Sequence, residues 1–381
     1  MKQLDYSEIS PVDLRNPFRN PTEMPDYAPD YRQVLPALDM PDTSLPLVPQ
    51  SNERTALKRV LAITFLLILF AFVTAMTCYV VLQAVVSAVL RHVDMQRLGE
   101  LPENYPMILS QYLNDSAINN ALTLIAFTVG NLSAFLIGCR LTQIRKADLF
   151  RLRDFSAVRG VSYIMLGLWI QLLAQYAASA LQTFLSRANL PVYEPEVTLN
   201  GSTMRILMNV LYICVLAPIT EELLMRGFVL KNLSRVSQRF GILLSAFIFG
   251  IMHENLPQFL FSFPLGILLA YITIRHKSLT PAIITHLAVN SMSMLISYGE
   301  NLLPHSTFRK AWMLYTLVVL LLGTVALCYM LLTEHLPDLT PHQSTRTKRL
   351  VVTAPLFWLL VITHVGLAVY SCYTMSPAAT M

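Results

Sequence analysis

Residues 206–226 read Ile-Leu-Met-Asn-Val-Leu-Tyr-Ile-Cys-Val-Leu-Ala-Pro-Ile-Thr-Glu-Glu-Leu-Leu-Met-Arg. The run from Ile206 to Ile219 has the character of a membrane helix, and two adjacent carboxylates, Glu221 and Glu222, follow it. A charge at the centre of such a helix costs about 2.5–3.5 kcal/mol on insertion scales, and a second charge beside it adds to that. The chain tolerates these acids only if they face protein or water and have partners. Intramembrane acids are therefore functional candidates.

Helical geometry separates the two acids. Glu222 and Arg226 stand at i and i+4, on one face, where they can pair. Glu221 is rotated by about 100° from Glu222. The positions that could serve it on its own helix are Leu224 and Met225. Glu221 is thus the acid free for chemistry, with Glu222 and Arg226 as its brace. Pro218 has no N–H to give the carbonyl of Cys214, so the helix opens or bends just before the acids. A buried Glu–Arg pair that only locks helices together fits the same stretch, which leaves both readings open.

Composition extends this reading to the whole chain. Apolar residues make up 54% of the 381 residues and charged residues 13%. Ordinary globular chains carry about 25% charged residues. Mean hydropathy is +0.52. Nine apolar segments lie near 60–90, 117–139, 161–186, 204–229, 241–257, 259–274, 280–298, 311–332 and 351–371. A span needs about 20 apolar residues. The expected fold class is all-α, a polytopic transmembrane helical bundle of eight to nine spans with a catalytic cavity inside it. The fifth and sixth segments are short, and they read as a tight hairpin turning at Glu254–Gln258.

The segments divide the chain into four parts. Residues 1–55 are rich in Pro, Asp and Asn and read as a disordered cytoplasmic tail. Residues 56–159 hold two accessory spans and a basic loop. Residues 160–298 form a helical core that holds the acids, and 299–381 add two C-terminal spans. The polar start predicts no cleavable signal peptide.

Basic residues crowd alternate loops. Lys58 and Arg59 precede the first span, Arg145, Lys146, Arg151 and Arg153 follow the second, and Lys231, Arg235 and Arg239 follow the fourth. The positive-inside rule then puts the N-terminus in the cytoplasm. The expected location is a bacterial cytoplasmic membrane. The formal net charge of +5 reflects these loops and implies no nucleic-acid partner. The stretches 91–116 and 187–202 carry acids and prolines and read as solvated outer loops. Cys78, Cys139, Cys214, Cys328 and Cys372 contain no CxxC pair and read as small packing residues.

Two further apolar stretches carry hydrogen-bonding groups. Phe249-Gly-Ile-Met-His253 and His286-Leu-Ala-Val-Asn290 each place their end residues at i and i+4, on one face. His364 in the last segment reads as a packing histidine. Three helices that each bring ionisable or amide groups to apolar depth satisfy them most cheaply in one polar cavity. At 1.5 Å per residue, Glu221 lies ~12 Å, His286 ~10 Å and His253 ~18 Å from the cytoplasmic helix ends, so the three can meet.

That set contains the parts for hydrolysing an amide. Glu221 can take a proton from water. His253 can orient the water, and His286 with Asn290 can donate to an oxyanion. No serine or cysteine sits in a nucleophile motif. Glu221, His253 and His286 also compose a ligand set for zinc with one open position. His253-Glu254 does not open an H-E-x-x-H motif, because position 257 is Pro. Residue types leave metal-free and zinc-dependent hydrolysis both open.

In order, Glu221-Glu222-Leu-Leu-Met-Arg226, Phe249-Gly-Ile-Met-His253 and His286-Leu-Ala-Val-Asn290 resemble the E-E-x-x-x-R, F-x-x-x-H and H-x-x-x-N motifs of the CPBP family of intramembrane proteases. This is the CAAX protease and bacteriocin-processing, or Abi, family. The resemblance covers roughly residues 160–298. It implies an intramembrane endopeptidase acting on a peptide or membrane-protein substrate within the lipid bilayer, either glutamate- or metal-dependent. Carried over by motif, Glu221 is the general base, supported by Glu222 and Arg226. His253 is the second water-orienting group, and His286 and Asn290 form the oxyanion site. Two other classes compete: a non-catalytic membrane scaffold or immunity protein of the same fold, and a transporter with the acids as a relay. Intact motif residues count against the scaffold, and the lack of an internal repeat counts against the transporter.

Overall fold

A computed structural model describes residues 50–114, 117–152, 155–188, 190, 203–333 and 345–374. Most of the expected tail, residues 1–49, lies outside the described residues, as does most of the stretch 187–202. Among the described residues the chain is helical, with no strand. Seven helices among the described residues are long and apolar enough to cross a membrane, which makes this an integral multi-pass protein.

Helix α1 (Gln50–Leu98) begins directly after Pro49, so residues 50–55, which polarity placed in the tail, are helical. They contain no proline to stop a helix. Its 49 residues span ~74 Å at 1.5 Å per residue, far more than a bilayer core of ~30 Å. The stretch 91–116 is likewise less loop-like than its acids and prolines suggested. α1 continues through it to Leu98, and α2 (Tyr105–Asn114) folds back. Tyr105 donates its hydroxyl hydrogen to Asp94 at 2.9 Å, which ties α2 to α1.

Helix α3 (Ala117–Leu141) packs along α1. A Cβ on Gly138 would stand 2.6 Å from the ring of Phe228, so only glycine lets α3 approach so near. Close helix contacts in membranes use small residues in this way. α4 (Ala157–Arg187) starts at Ser156, whose side chain accepts from the Arg159 N–H.

Helix α5 (residues 203–233) carries the acids and is irregular. A π-helical stretch, Val210–Leu216, precedes the α-helical Ala217–Glu222, and a second, Leu223–Leu230, follows. The expected opening at Pro218 takes this form. Ala217 donates to Tyr212, five residues back. In that register the carbonyl without a donor is that of Ile213, because Pro218 has no N–H.

The fifth apolar segment is shorter than its hydropathy suggested. α6 (Gln238–Ile251) has 14 residues, ~21 Å at 1.5 Å per residue, too short to cross. It turns through 252–255 into α7 (Leu256–His276). Asn255 caps α7 by accepting from the Gln258 N–H at 2.8 Å, and Pro257 takes a first-turn position where no N–H is needed. The turn therefore precedes Leu256, and Pro257 and Gln258 belong to the helix. α8 (Thr280–Leu302) and α9 (His305–Thr333) follow. α10 (Thr345–Val352) is separated by a break from α11 (Pro355–Thr374). The break falls where Pro355 opens a new helix, so the ninth apolar segment is two helices.

Two apolar cores flank α5. One joins Phe65 and Ile68 of α1, Phe135 of α3, Phe228 of α5, Phe249 of α6 and Leu360 of α11. The other joins α4, α7, α8 and α9 through residues such as Tyr163, Leu265, Val289 and Val319. The acids of α5 and the ends of α6 and α8 meet between them.

Candidate functional site

The α-helical segment Ala217–Glu222 is the regular stretch between two wider turns, and both acids sit at its end. Their surroundings differ. Glu222 is fully buried at 0% exposure, while the Glu221 side chain keeps 26%. Adjacent positions on a helix point about 100° apart, so one acid faces the interior and the other the open side.

Glu222 is a junction. Its Oε1 lies 2.9 Å from Arg226 Nη1 and accepts from His286 Nδ1 at 2.9 Å. Arg226 also donates from Nη2 to the carbonyl of Gly266 at 3.3 Å, and its guanidinium stands 4.5 Å above the Phe249 ring. A buried guanidinium needs such a set: a carboxylate, a carbonyl and an aromatic face. Glu222 Oε2 has no hydrogen-bond partner among the described residues.

The bond to Glu222 sets the tautomer of His286. A carboxylate only accepts, so Nδ1 carries the hydrogen. Nε2 then faces Glu221, with Oε2 at 3.8 Å. His253 is oriented in the same sense, because its Nδ1 donates to the Phe249 carbonyl at 2.8 Å. Both rings stand edge-on to Phe249, at 5.0 Å for His253 and 5.8 Å for His286. Phe249 is thus the shared wall of the site, with Arg226 on one side and two imidazoles at its edge. His253 lies within electrostatic range of Glu221, His286 and Arg226. Both histidines present Nε2, which accepts from water when the ring is neutral and donates when it is charged.

Asn290 lies one turn beyond His286. Its Nδ2 donates to the Ile213 carbonyl at 3.0 Å, the group that Pro218 leaves without a donor. One amide hydrogen is thereby committed to the π turn, and Nδ2 keeps a second. Beside Glu221, Thr220 donates to the Leu216 carbonyl at 2.8 Å, and Asn131 of α3 reaches its hydroxyl at 3.4 Å. Gln171 of α4 donates to Ser293 of α8.

The structure therefore brings together Glu221, Glu222, Arg226, Phe249, His253 and His286, and places Asn290 on the turn before them. Among the described residues no three His, Cys, Asp or Glu side chains are gathered as a metal ion requires.

Sequence reasoning missed one pair. His364 of α11 donates from Nδ1 to Glu254 Oε1 at 2.9 Å, directly after His253. The residues are 110 positions apart, so no spacing could link them. The only signal was an ionisable residue inside an apolar segment.

Comparison with known proteins fits this geometry. Residues 203–292 match the family described as type II CAAX prenyl endopeptidase Rce1-like, consistent with the CPBP family. The matched stretch takes in every residue of the site from Glu221 to Asn290 and leaves α1–α4 and α9–α11 outside. Neither a search of curated proteins nor one of solved structures finds a match to this chain.

Proposed function

We propose, from the Rce1-like, CPBP-type character of residues 203–292, that this protein is a CAAX-type intramembrane endopeptidase that cuts by water attack. The observation that carries the reading is the Glu221–His286 approach at 3.8 Å, with His286 held from behind by the buried Glu222–Arg226 pair. A base beside an oriented imidazole, on helices of a membrane bundle, is what amide hydrolysis inside a bilayer needs.

In this mechanism a water molecule sits between Glu221 and the outward Nε2 of His253. Glu221 takes one water proton as the oxygen bonds to the peptide carbonyl carbon. The carbonyl π electrons move onto oxygen, and the second Nδ2 hydrogen of Asn290 and, when it carries a proton, His286 Nε2 donate to that oxyanion. The C–N bond then breaks, and Glu221 returns its proton to the departing nitrogen. The products are a carboxylic acid and an amine. Glu222 and Arg226 hold the His286 ring; neither touches the reacting atoms.

The substrate is a peptide or membrane protein whose scissile bond reaches apolar depth. In this reading the N-terminus and the mouth of the site face the cytoplasm, which the excess of basic residues in alternate loops supports. N-terminal proteomics of cells carrying wild type or Glu221→Ala tests this. The expected result is a set of membrane-protein fragments present in the wild type and missing in the variant. Identical terminomes would refute the reading.

Asn290→Ala separates the oxyanion role from substrate binding. The expected result is a fall in kcat of about 10²-fold with little change in KM, because an oxyanion donor acts mainly in the transition state. A raised KM with unchanged kcat would place Asn290 in substrate binding. Thermal unfolding is measured alongside, because the variant leaves the Ile213 carbonyl unpaired at a cost of about 1–3 kcal/mol.

A further inference from the structure

His253 stands at the end of α6, in a turn that side chains tie in two directions beyond its backbone bonds to α6. The first is local: Asn255 donates to the His253 carbonyl at 2.8 Å and to Gln258 Oε1 at 2.9 Å, which ties the turn to α7. The second comes from the far end of the chain. Glu254 has φ +57°, a left-handed conformation that non-glycine residues rarely adopt. Such a residue persists only where its surroundings over-determine it. The Glu254 side chain accepts from His364, whose ring is buried in α11 and stands edge-on to Phe72 of α1 at 5.2 Å. The His253 ring's own restraints, its bond to the Phe249 carbonyl and its contact with the Phe249 ring, belong to the last turn of α6. They hold the ring to α6. Backbone bonds from His253 to Gly250 at 3.3 Å and from Glu254 to Ile251 at 3.1 Å continue that hold into the turn, and the Glu254–His364 bond is the tie that reaches the turn from α11.

We propose that His364 is a positioning residue for His253. Through Glu254 the last helix fixes the turn that aims the His253 ring, so a helix outside residues 203–292 is part of the working site. The geometric claim stands by itself; its consequence for turnover rests on the peptidase reading.

The test compares His364→Leu, which fills the volume without a donor, with His364→Asn, whose amide can stand in for Nδ1. Each is made in the wild-type and His253→Ala backgrounds. Purified proteins are assayed for peptide cleavage, for thermal unfolding and for carbethoxylation of His253 by diethyl pyrocarbonate, read by peptide mass spectrometry. The expected result for His364→Leu is a kcat lower by about 10²-fold, the size of effect a displacement of ~1 Å produces, with KM nearly unchanged. His364→Asn restores most of the loss, and His364→Leu adds nothing once His253 is alanine. His253 labels several-fold faster in His364→Leu and at the wild-type rate in His364→Asn.

An equal loss of activity in both backgrounds, or a loss that tracks a lowered unfolding temperature, would overturn the proposal and make His364 a packing residue. If the wild type shows no Glu221-dependent cleavage, the peptidase reading fails by itself. The labelling rates then decide the geometric claim: unchanged labelling of His253 overturns it, and faster labelling reversed by His364→Asn upholds it.

Discussion

Glu221→Gln leaves the bundle folded and removes peptide cleavage. Glutamine matches the shape of glutamate but cannot take a proton from water. General-base catalysis by a placed carboxylate contributes about 10²–10⁴-fold, and kcat is expected to fall by that factor. KM should hardly move, since the base makes its contribution in the transition state, so kcat and kcat/KM fall together. Stability should hold for a structural reason. Among the described residues the ion pair of Glu221 is a long one, to His286 Nε2 at 3.8 Å, and a quarter of the side chain is open. Purified variant and wild type are compared for turnover of one peptide and for thermal unfolding. Full activity in Glu221→Gln, or an activity loss matched by a loss of fold, would remove Glu221 from its role as base.

The local pairs at the site were legible because helical period fixes them. Glu222 and Arg226 had to share a face, as did Phe249 with His253 and His286 with Asn290. Their gathering was legible by a less direct route: polar groups on separate apolar helices have few places to be satisfied. The partners across helices were not legible. The 64 residues between Glu222 and His286 carry no spacing rule, and the bond that sets the His286 tautomer is purely tertiary. The π turns were half visible. Pro218 announces a missing donor, but which carbonyl is left bare depends on whether the register is four or five residues. The five-residue register moves it from Cys214 to Ile213, where Asn290 covers it. That gives Asn290 a structural bond beside the catalytic role implied by its motif. Glu254 could not be foreseen at all, since nothing in Met-His-Glu-Asn specifies a left-handed glutamate. The helix start at Gln50 is hidden for the opposite reason: residues 50–55 are polar like a tail, yet they contain no proline or glycine to stop a helix.

Arg226→Met should be the most destabilising of the changes considered. Methionine fills much the same space and keeps the contact with Phe249, so packing alone costs little. The charge it removes is the issue. Glu222 is fully buried, and among the described residues the arginine or lysine paired with it is Arg226. His286 donates to the same oxygen, and Oε2 has no partner among the described residues. Removing one member of a buried pair typically costs about 3–5 kcal/mol, because the other charge is left unmatched. The Gly266 carbonyl loses its donor as well. Thermal unfolding in detergent should show a large drop for Arg226→Met. Glu222→Gln/Arg226→Met should recover most of it, since a neutral amide in that place needs no cation. The recovered double variant then isolates the electrostatic role of Glu222. His286 would keep a hydrogen-bond acceptor and lose the negative charge behind its ring, which weakens the support it gives the oxyanion. Folding restored with kcat still low is the expected outcome. Folding and activity restored together would mean that the pair only holds helices in place, and an Arg226→Met protein as stable as wild type would show that the buried carboxylate is satisfied without it.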